Sequence, residues 1–423
     1  MEDTKAKKTN VDLYTRYKTF SWDLFFYYAI IFLFFTETKG ISAADVLLAE
    51  STYPIFKNIF LIPATVLINS LGKRMSLIIG NSFIAIAIFT YIMGNNFWYI
   101  ILGELLSAIG FIIKGICESN ILYDSLEKNE KRGILFARIE GKGTSYYYYI
   151  DAISSVLAGI LFAINGYIPM CLCLITSIFS IYLAAKFKDI DERQKINLSN
   201  VKNDFIDLKN SFKLFSKSPR LKYLLFFGAL IWATLLSITM LRSGVMQEIG
   251  IPSGYFGVIF AIMGLISGIS ARNEQRFHKR YRNKTLGKLA LPLVFSFIIL
   301  GIVCSSGAPY AIKVIVVLLL FGVQYIVKGP FYPLIRQYLN NFTTTKLRTK
   351  ISSSFNLLEN ILRFIITFTA STLLRFTTTA NTFTILGCIL GLIVVLTLDG
   401  MRTRVGLKPE EYTEKDTNIM NLE

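Results

Sequence analysis

The chain has 423 residues, of which 53% are hydrophobic and only 17% charged, with 34 Phe, 22 Tyr and a formal net charge of +17. Soluble domains carry about 25% charged residues, so the composition argues against a soluble enzyme, and disorder is excluded because it needs low hydrophobicity. The positive charge fits either a nucleic-acid partner or basic loops at a membrane surface, and its placement decides between them.

A bilayer span takes about 20 mostly apolar residues. By that measure the sequence predicts twelve spans. Six lie at 20–38, 43–68, 74–94, 97–122, 143–165 and 168–187. Six more lie at 220–243, 252–273, 286–306, 308–334, 351–375 and 380–399. The expected fold class is an all-α membrane protein of twelve transmembrane helices in two six-helix bundles. Its parts are an N-terminal bundle over 1–187, a linker over 188–219, and a C-terminal bundle with a tail over 220–423. The first apolar run ends in Glu37, Thr38, Lys39 and Gly40 with no small-residue cleavage site, so it reads as span 1 and not as a signal peptide. Within the linker, Val201, Phe205, Leu208, Phe212 and Phe215 form a helical stripe flanked by lysines. It reads either as a helix on anionic lipid or as one docked on the loops.

An even number of spans puts both termini and the linker on one side. Most of the 45 Lys and Arg fall there, while only Lys39, Arg242 and Arg375 lie opposite and a few sit inside spans. This asymmetry predicts cytoplasmic termini. Nucleic-acid binding needs charge gathered on one face, and here it is scattered over loops and tails, so no nucleic-acid partner is expected. The five cysteines all fall in spans as small packing residues, and His278 sits among Arg276, Lys279 and Arg280 in a loop, where it is expected to be solvated. No metal site follows. Gly141-Lys142-Gly143-Thr144-Ser145 lacks the spacing of a phosphate loop, so neither an ATP site nor another cofactor is expected. No pairing of nucleophile and base indicates an enzyme.

Several stretches carry a resemblance. After span 2 the chain reads Pro63, Thr65, Leu67, Asn69, Ser70, Leu71, Gly72, Lys73, Arg74. After span 4 it reads Glu118-Ser119-Asn120-Ile121-Leu122-Tyr123-Asp124-Ser125-Leu126, leading to Arg132, Phe136, Arg138 and Gly141. A fainter echo, Thr345 to Ser352, precedes span 11. With six spans, a long linker and six spans, this resembles the major facilitator superfamily. The loop after span 2 is similar to its G-x-L-A-D-R-x-G-R-K signature, with Asn69, Ser70 and Thr65 replacing the acid, the first arginine and the first glycine. The stretch after span 4 is similar to the E-A-x-x-x-Y-D-S-L of a bacterial efflux-type branch. The resemblance implies a monomeric secondary transporter of the bacterial cell membrane, exporting a small amphipathic compound by rocking two bundles about a midplane site. It implies a gating role for Asn69, Gly72, Lys73, Arg74, Asp124 and Arg132. Asn69 would replace the family's latching aspartate by a weaker, uncharged hydrogen bond. The branch's glycine-proline motif in span 5 is absent between Ala152 and Gly159. Import of a small organic solute, flipping of a lipid, and a scaffold or sensor role are the alternatives.

A charge at bilayer depth costs about 2.5–3.5 kcal/mol on insertion scales, so each one is a candidate for function. Glu104, Lys114 and Glu118 share one face of span 4, and Lys114 and Glu118 are spaced to neutralise each other. The face reads as a wet cavity wall or as a set of structural partners for neighbouring helices. Asp151, one turn from Tyr147 and Tyr148, is a candidate proton carrier or a hydrogen-bond partner of a tyrosine. The pairs Glu50 with Lys57 and Glu359 with Arg363 read as internal ion pairs first. Lys328 has no acid within four residues and lies beside Gly329, Pro330 and Pro333, which are expected to break span 10. It is a candidate for meeting an anionic substrate group or Glu118, with snorkelling to the inner surface as the rival.

Overall fold

A computed structural model describes residues 2–127, 132–190, 219–281, 284–341 and 345–402. The linker stripe between Val201 and Phe215 lies outside them. Among the described residues, eleven helices are long and apolar enough to cross a membrane. They match spans 2 to 12 to within a few residues at most ends, and they make this an integral, multi-pass membrane protein.

The first predicted span is built differently. Helix α1, Glu2–Ser21, takes in most of the expected N-terminal tail and stops where the apolar run begins. The chain is then non-helical from Trp22 to Ile30 and resumes as a short helix α2, Ile31–Leu33, continued by a wide turn Phe34–Thr38. No glycine or proline lies between Ser21 and Thr38. Asp23 opens the break by accepting the N–H of Leu24 on its own Oδ1 at 2.9 Å, a local bond that competes with the helix ladder. Phe26 adopts a left-handed φ of 60°, which is strained for a bulky side chain.

Irregular backbone at bilayer depth survives only where protein or enclosed water meets its polar groups. Here other helices meet them. Lys114 donates to the Trp22 carbonyl at 3.0 Å, and Ser180 donates to the Phe20 carbonyl at 2.9 Å. The Phe26 N–H points to Ser154 Oγ at 3.5 Å. Apolar burial does the rest: Leu24, Phe25, Tyr27 and the run Ala29 to Phe35 are all buried.

The first compact unit comprises α1, α2, α3 (Ala43–Leu71), α4 (Lys73–Met93), α5 (Phe97–Ser125), α6 (Arg132–Ile164), α7 (Tyr167–Ala185) and the stretch Pro252–Ala261. Within it α5 packs on α3 and α4, while α1 lies against α5, α6 and α7. Ser42 caps α3 by accepting from the Asp45 N–H. Gly72, at φ 82°, makes the one-residue turn into α4, a conformation that disfavours any side chain. Asn10 ties α1 to the end of the unit by a reciprocal pair of bonds to Lys188, at 3.0 and 2.8 Å.

The second unit holds α8 (Pro219–Glu248), the remainder of α9 (Phe256–Arg272) from Ile262 on, α10 (Glu274–Tyr281), α11 (Thr285–Ser305), α12 (Tyr310–Asn341), α13 (Thr345–Leu374) and α14 (Thr379–Arg402). Helix α8 is its most buried member and packs on α12, α13 and α14. Three sequence expectations change here. Helix α8 continues to Glu248, so Arg242 is a fully buried helical residue and not part of an outer loop. Helix α12 runs unbroken through Pro330 and Pro333. Proline at 330 removes the donor that the Ile326 carbonyl would have used, and Ser270 of α9 supplies a replacement at 2.6 Å. His278 is half-buried on α10 against the Tyr338 hydroxyl at 2.7 Å, and burial lowers its pKa below the ordinary value.

Candidate functional site

The buried charged residues of the first unit fall into three groups. The largest lies where α1, the break after Ser21, α5 and α6 meet. Lys18, fully buried, bridges two carboxylates: its Nζ stands 2.6 Å from Glu118 Oε1 and 2.7 Å from Glu140 Oε1. The ammonium also rests 4.0 Å above the Trp22 ring, and the Tyr14 hydroxyl donates to Glu140 Oε2. Gly143 leaves room for this arrangement, because a Cβ there would come within 2.6 Å of the Lys18 side chain.

The second group surrounds Asp23. Lys114 reaches the break through its bond to Trp22 and lies within electrostatic reach of Asp23. Lys57 of α3 contributes a weaker charge from another side. The Tyr28 hydroxyl donates to Asp23 Oδ1 at 2.8 Å. From α6, Asp151 faces Tyr147 and feels the Asp23 charge. Tyr147 is buried and stacks on Phe25, with ring centres 5.1 Å apart. The other tyrosines of that run, Tyr146, Tyr148 and Tyr149, are exposed. A narrow pocket opens beside this group, lined by Asp23, Lys114, Asn81, Ser177 and Ser180 among others.

Glu104 forms the third group. It is buried and accepts from the Tyr91 hydroxyl at 2.9 Å. Ten residues separate it from Lys114 on a straight helix, about 15 Å of rise. One helical face therefore divides among three environments, and Lys114 bonds a carbonyl of the break while Glu118 takes Lys18. Of the candidates from sequence, Lys114 lies within electrostatic reach of both Glu118 and Asp23, with Glu118 the stronger influence, and Asp23 in turn acts on Asp151, while Glu104 stands apart. Lys328 belongs to the second unit, where its ammonium lies 5.4 Å from the Tyr325 ring centre.

Two functional candidates were missed from sequence, Lys18 and Asp23. Lys18 lies just before the apolar run and counts as a tail charge. Asp23 lies inside the run, next to the aromatic stretch, and no intramembrane carboxylate was sought there.

The loop residues also converge. Lys73 Nζ lies 2.7 Å from Asp124 Oδ2, and Arg132 approaches Asp124 Oδ1 at 3.6 Å. Arg132 also donates from Nε to the Tyr123 carbonyl at 2.9 Å and stacks on the Tyr123 ring at 3.8 Å. Arg74 reaches Asp189 at 3.3 Å and the Ala185 carbonyl at 3.0 Å. Asn69 is exposed on the last turn of α3. The Lys73 and Asp124 pair is solvated, so each bridge is worth under about 1 kcal/mol, and its value lies in joining α4, α5 and α6.

Eleven helices long and apolar enough to cross a membrane, with charges retained at the broken end of another, make this a polytopic membrane protein. The sequence matches the model of the Major Facilitator Superfamily over residues 19–367, and the chain belongs to that family. No curated relative matches its sequence. Its fold is similar to that of a mutant form of the nucleoside transporter NupG, with a TM-score of 0.70, 13% identity, and coverage of 94% of this chain and 99% of the other. It is similar to the peptide transporter POT in complex with sulfate, with a TM-score of 0.68, 14% identity and coverage of 95% and 96%. A POT family transporter in complex with 5-aminolevulinic acid gives 0.65, 13%, 94% and 96%.

Proposed function

We propose that this chain exports a small amphipathic solute by alternating access, coupled to a proton that binds at Asp151. The observation supporting it is the cluster of Asp23, Lys114 and Asp151 at the break after Ser21. Discontinuous helices carry the substrate and ion sites of many secondary transporters, because freed backbone groups bind there. Two carboxylates within reach of one another repel when both are ionised, so a proton on Asp151 removes that repulsion and leaves Asp23 to Lys114. The cluster then changes its net charge by one between its two forms.

In this reading the broken segment makes a twelfth crossing, and 1–187 and 220–423 act as two bundles joined by 188–219. Both termini face the cytoplasm of a bacterial cell, the surroundings are membrane lipid, and the working unit is a monomer. The Lys73, Asp124 and Arg132 cluster is the gate-side latch, with Gly72 and Arg74 shaping the turn and Asn69 as its uncharged member. The efflux-type stretch from Glu118 to Leu126 supports export. The likeness to solved nucleoside and peptide transporters favours a second reading, import of a small polar solute.

The test is transport in proteoliposomes with and without a pH gradient, after a screen of amphipathic compounds and small solutes. Asp151→Asn is expected to keep substrate binding and lose dependence on the gradient. Full gradient dependence in that variant removes Asp151 as the carrier, and uptake into right-side-out vesicles alone establishes import.

A further inference from the structure

Arg242, near the end of α8, is fully buried. Its Nε donates to Gln324 Oε1 at 2.8 Å, and its guanidinium carbon stands 4.6 Å from the centre of the Tyr325 ring. Neither terminal nitrogen, Nη1 or Nη2, nor Gln324 Nε2 makes a hydrogen bond of normal geometry among the described residues, although all three are buried and the Tyr325 hydroxyl lies within polar reach of the guanidinium. Lys328, one turn further along α12 and partly exposed, sets its ammonium 5.4 Å from the centre of the same ring. Arg242 and Arg363 each lie within electrostatic reach of Lys328. No ion pair to Arg242 or Lys328 occurs among the described residues.

This is an inverted arrangement for a protein interior. Buried charges are normally paired and buried donors normally bonded, because either one left alone loses its hydration without replacement. Here two cations and three unused N–H bearing nitrogens converge. A guanidinium whose Nε is fixed presents its remaining donors as a planar fork, which matches two oxygens of a carboxylate, sulfate or phosphate. Lys328, less buried than Arg242, adds a point charge beside it.

We propose that Arg242, Lys328 and Gln324 form an oxyanion site in the second unit, which takes the carboxylate, sulfate or phosphate group of the transported solute. That it serves the solute rests on the transport reading above; that it binds an oxyanion does not.

Sulfate is the probe, added to the full chain in neutral detergent, with chloride at equal ionic strength as the control. The unaltered chain is expected to gain thermal stability saturably with sulfate. Arg242→Gln and Lys328→Gln are each expected to need at least tenfold more sulfate for half the gain. Without sulfate, Arg242→Gln should melt no lower than the unaltered chain, since it removes an unpaired buried charge. An identical sulfate response in all three chains overturns the site. So does a collapse of Arg242→Gln combined with a full response in Lys328→Gln, which makes the guanidinium a structural member. Sulfate binding without any transport in proteoliposomes refutes the transport reading and leaves the site standing. Unchanged KM for an anionic solute in Arg242→Gln refutes the link between them.

Discussion

Replacing Lys18 by Met tests the densest electrostatic contact in the first unit. The side chain is fully buried and its ammonium lies 2.6 and 2.7 Å from two carboxylates. At an effective dielectric of about 20, each contact is worth about 6 kcal/mol of gross attraction. Desolvation of a buried ammonium and of Glu118 offsets most of that. What remains is the asymmetry of removal: deleting one partner of a buried pair costs about 3–5 kcal/mol, because the other charge stays behind. Glu118 is badly placed to absorb the loss, since its Oε2 is already buried with no hydrogen-bond partner among the described residues. Lys18→Met is therefore expected to lose about 3–5 kcal/mol in reversible denaturation in mixed micelles. Adding Glu118→Gln removes the orphan charge and should restore at least half of it. A Lys18→Met chain within about 1 kcal/mol of the original refutes the reasoning, as does a double variant no better than the single one.

Other substitutions probe the packing and the loops. Ser270→Ala leaves the Ile326 carbonyl bare and should cost about 1–3 kcal/mol, a loss that disappears when Pro330→Ala restores the helical donor. A Cβ on Gly257 would lie 1.8 Å from the Ser155 carbonyl oxygen, so Gly257→Ala should destabilise the first unit by about 1–3 kcal/mol or more, measured by the same denaturation. The folded state holds His278 below its ordinary pKa, so the unfolded state binds more protons as pH falls through about 6.5. Hydrogen exchange of Glu274–Tyr281, corrected for intrinsic rates, should accelerate from pH 7.5 to 5.5 and lose that acceleration in His278→Gln.

Hydropathy made spans 2 to 12 legible because each is a continuous apolar stretch of the right length. It failed at the first segment for two physical reasons. The buried face of α1 is carried by Asn10, Tyr14, Tyr17, Lys18 and Ser21, which recur at helical spacing but are polar at their tips. Their burial depends on partners such as Asn81, Glu118 and Glu140, which sequence distance conceals. The break after Ser21 carries no glycine or proline to announce it. Charge spacing was equally ambiguous. Lys114 and Glu118 stand four apart and do act on one another electrostatically, yet each makes its hydrogen bond to another segment. Arg242 was misplaced because it lies one residue before the end of the predicted span at 243 and was counted with the outer loop, whereas α8 continues to Glu248.

The break after Ser21 also constrains how the protein can be made. A regular helix can enter the bilayer alone because its backbone groups satisfy one another. The Trp22 carbonyl waits for Lys114, 92 residues later, the Phe26 N–H for Ser154, 128 later, and the Phe20 carbonyl for Ser180, 160 later. At about 5–20 residues per second, the last of these emerges roughly 8–30 s after its partner. The broken segment, made before its partners, is thus among the last to settle, and until α5, α6 and α7 arrive it must be kept in wet or protein-lined surroundings.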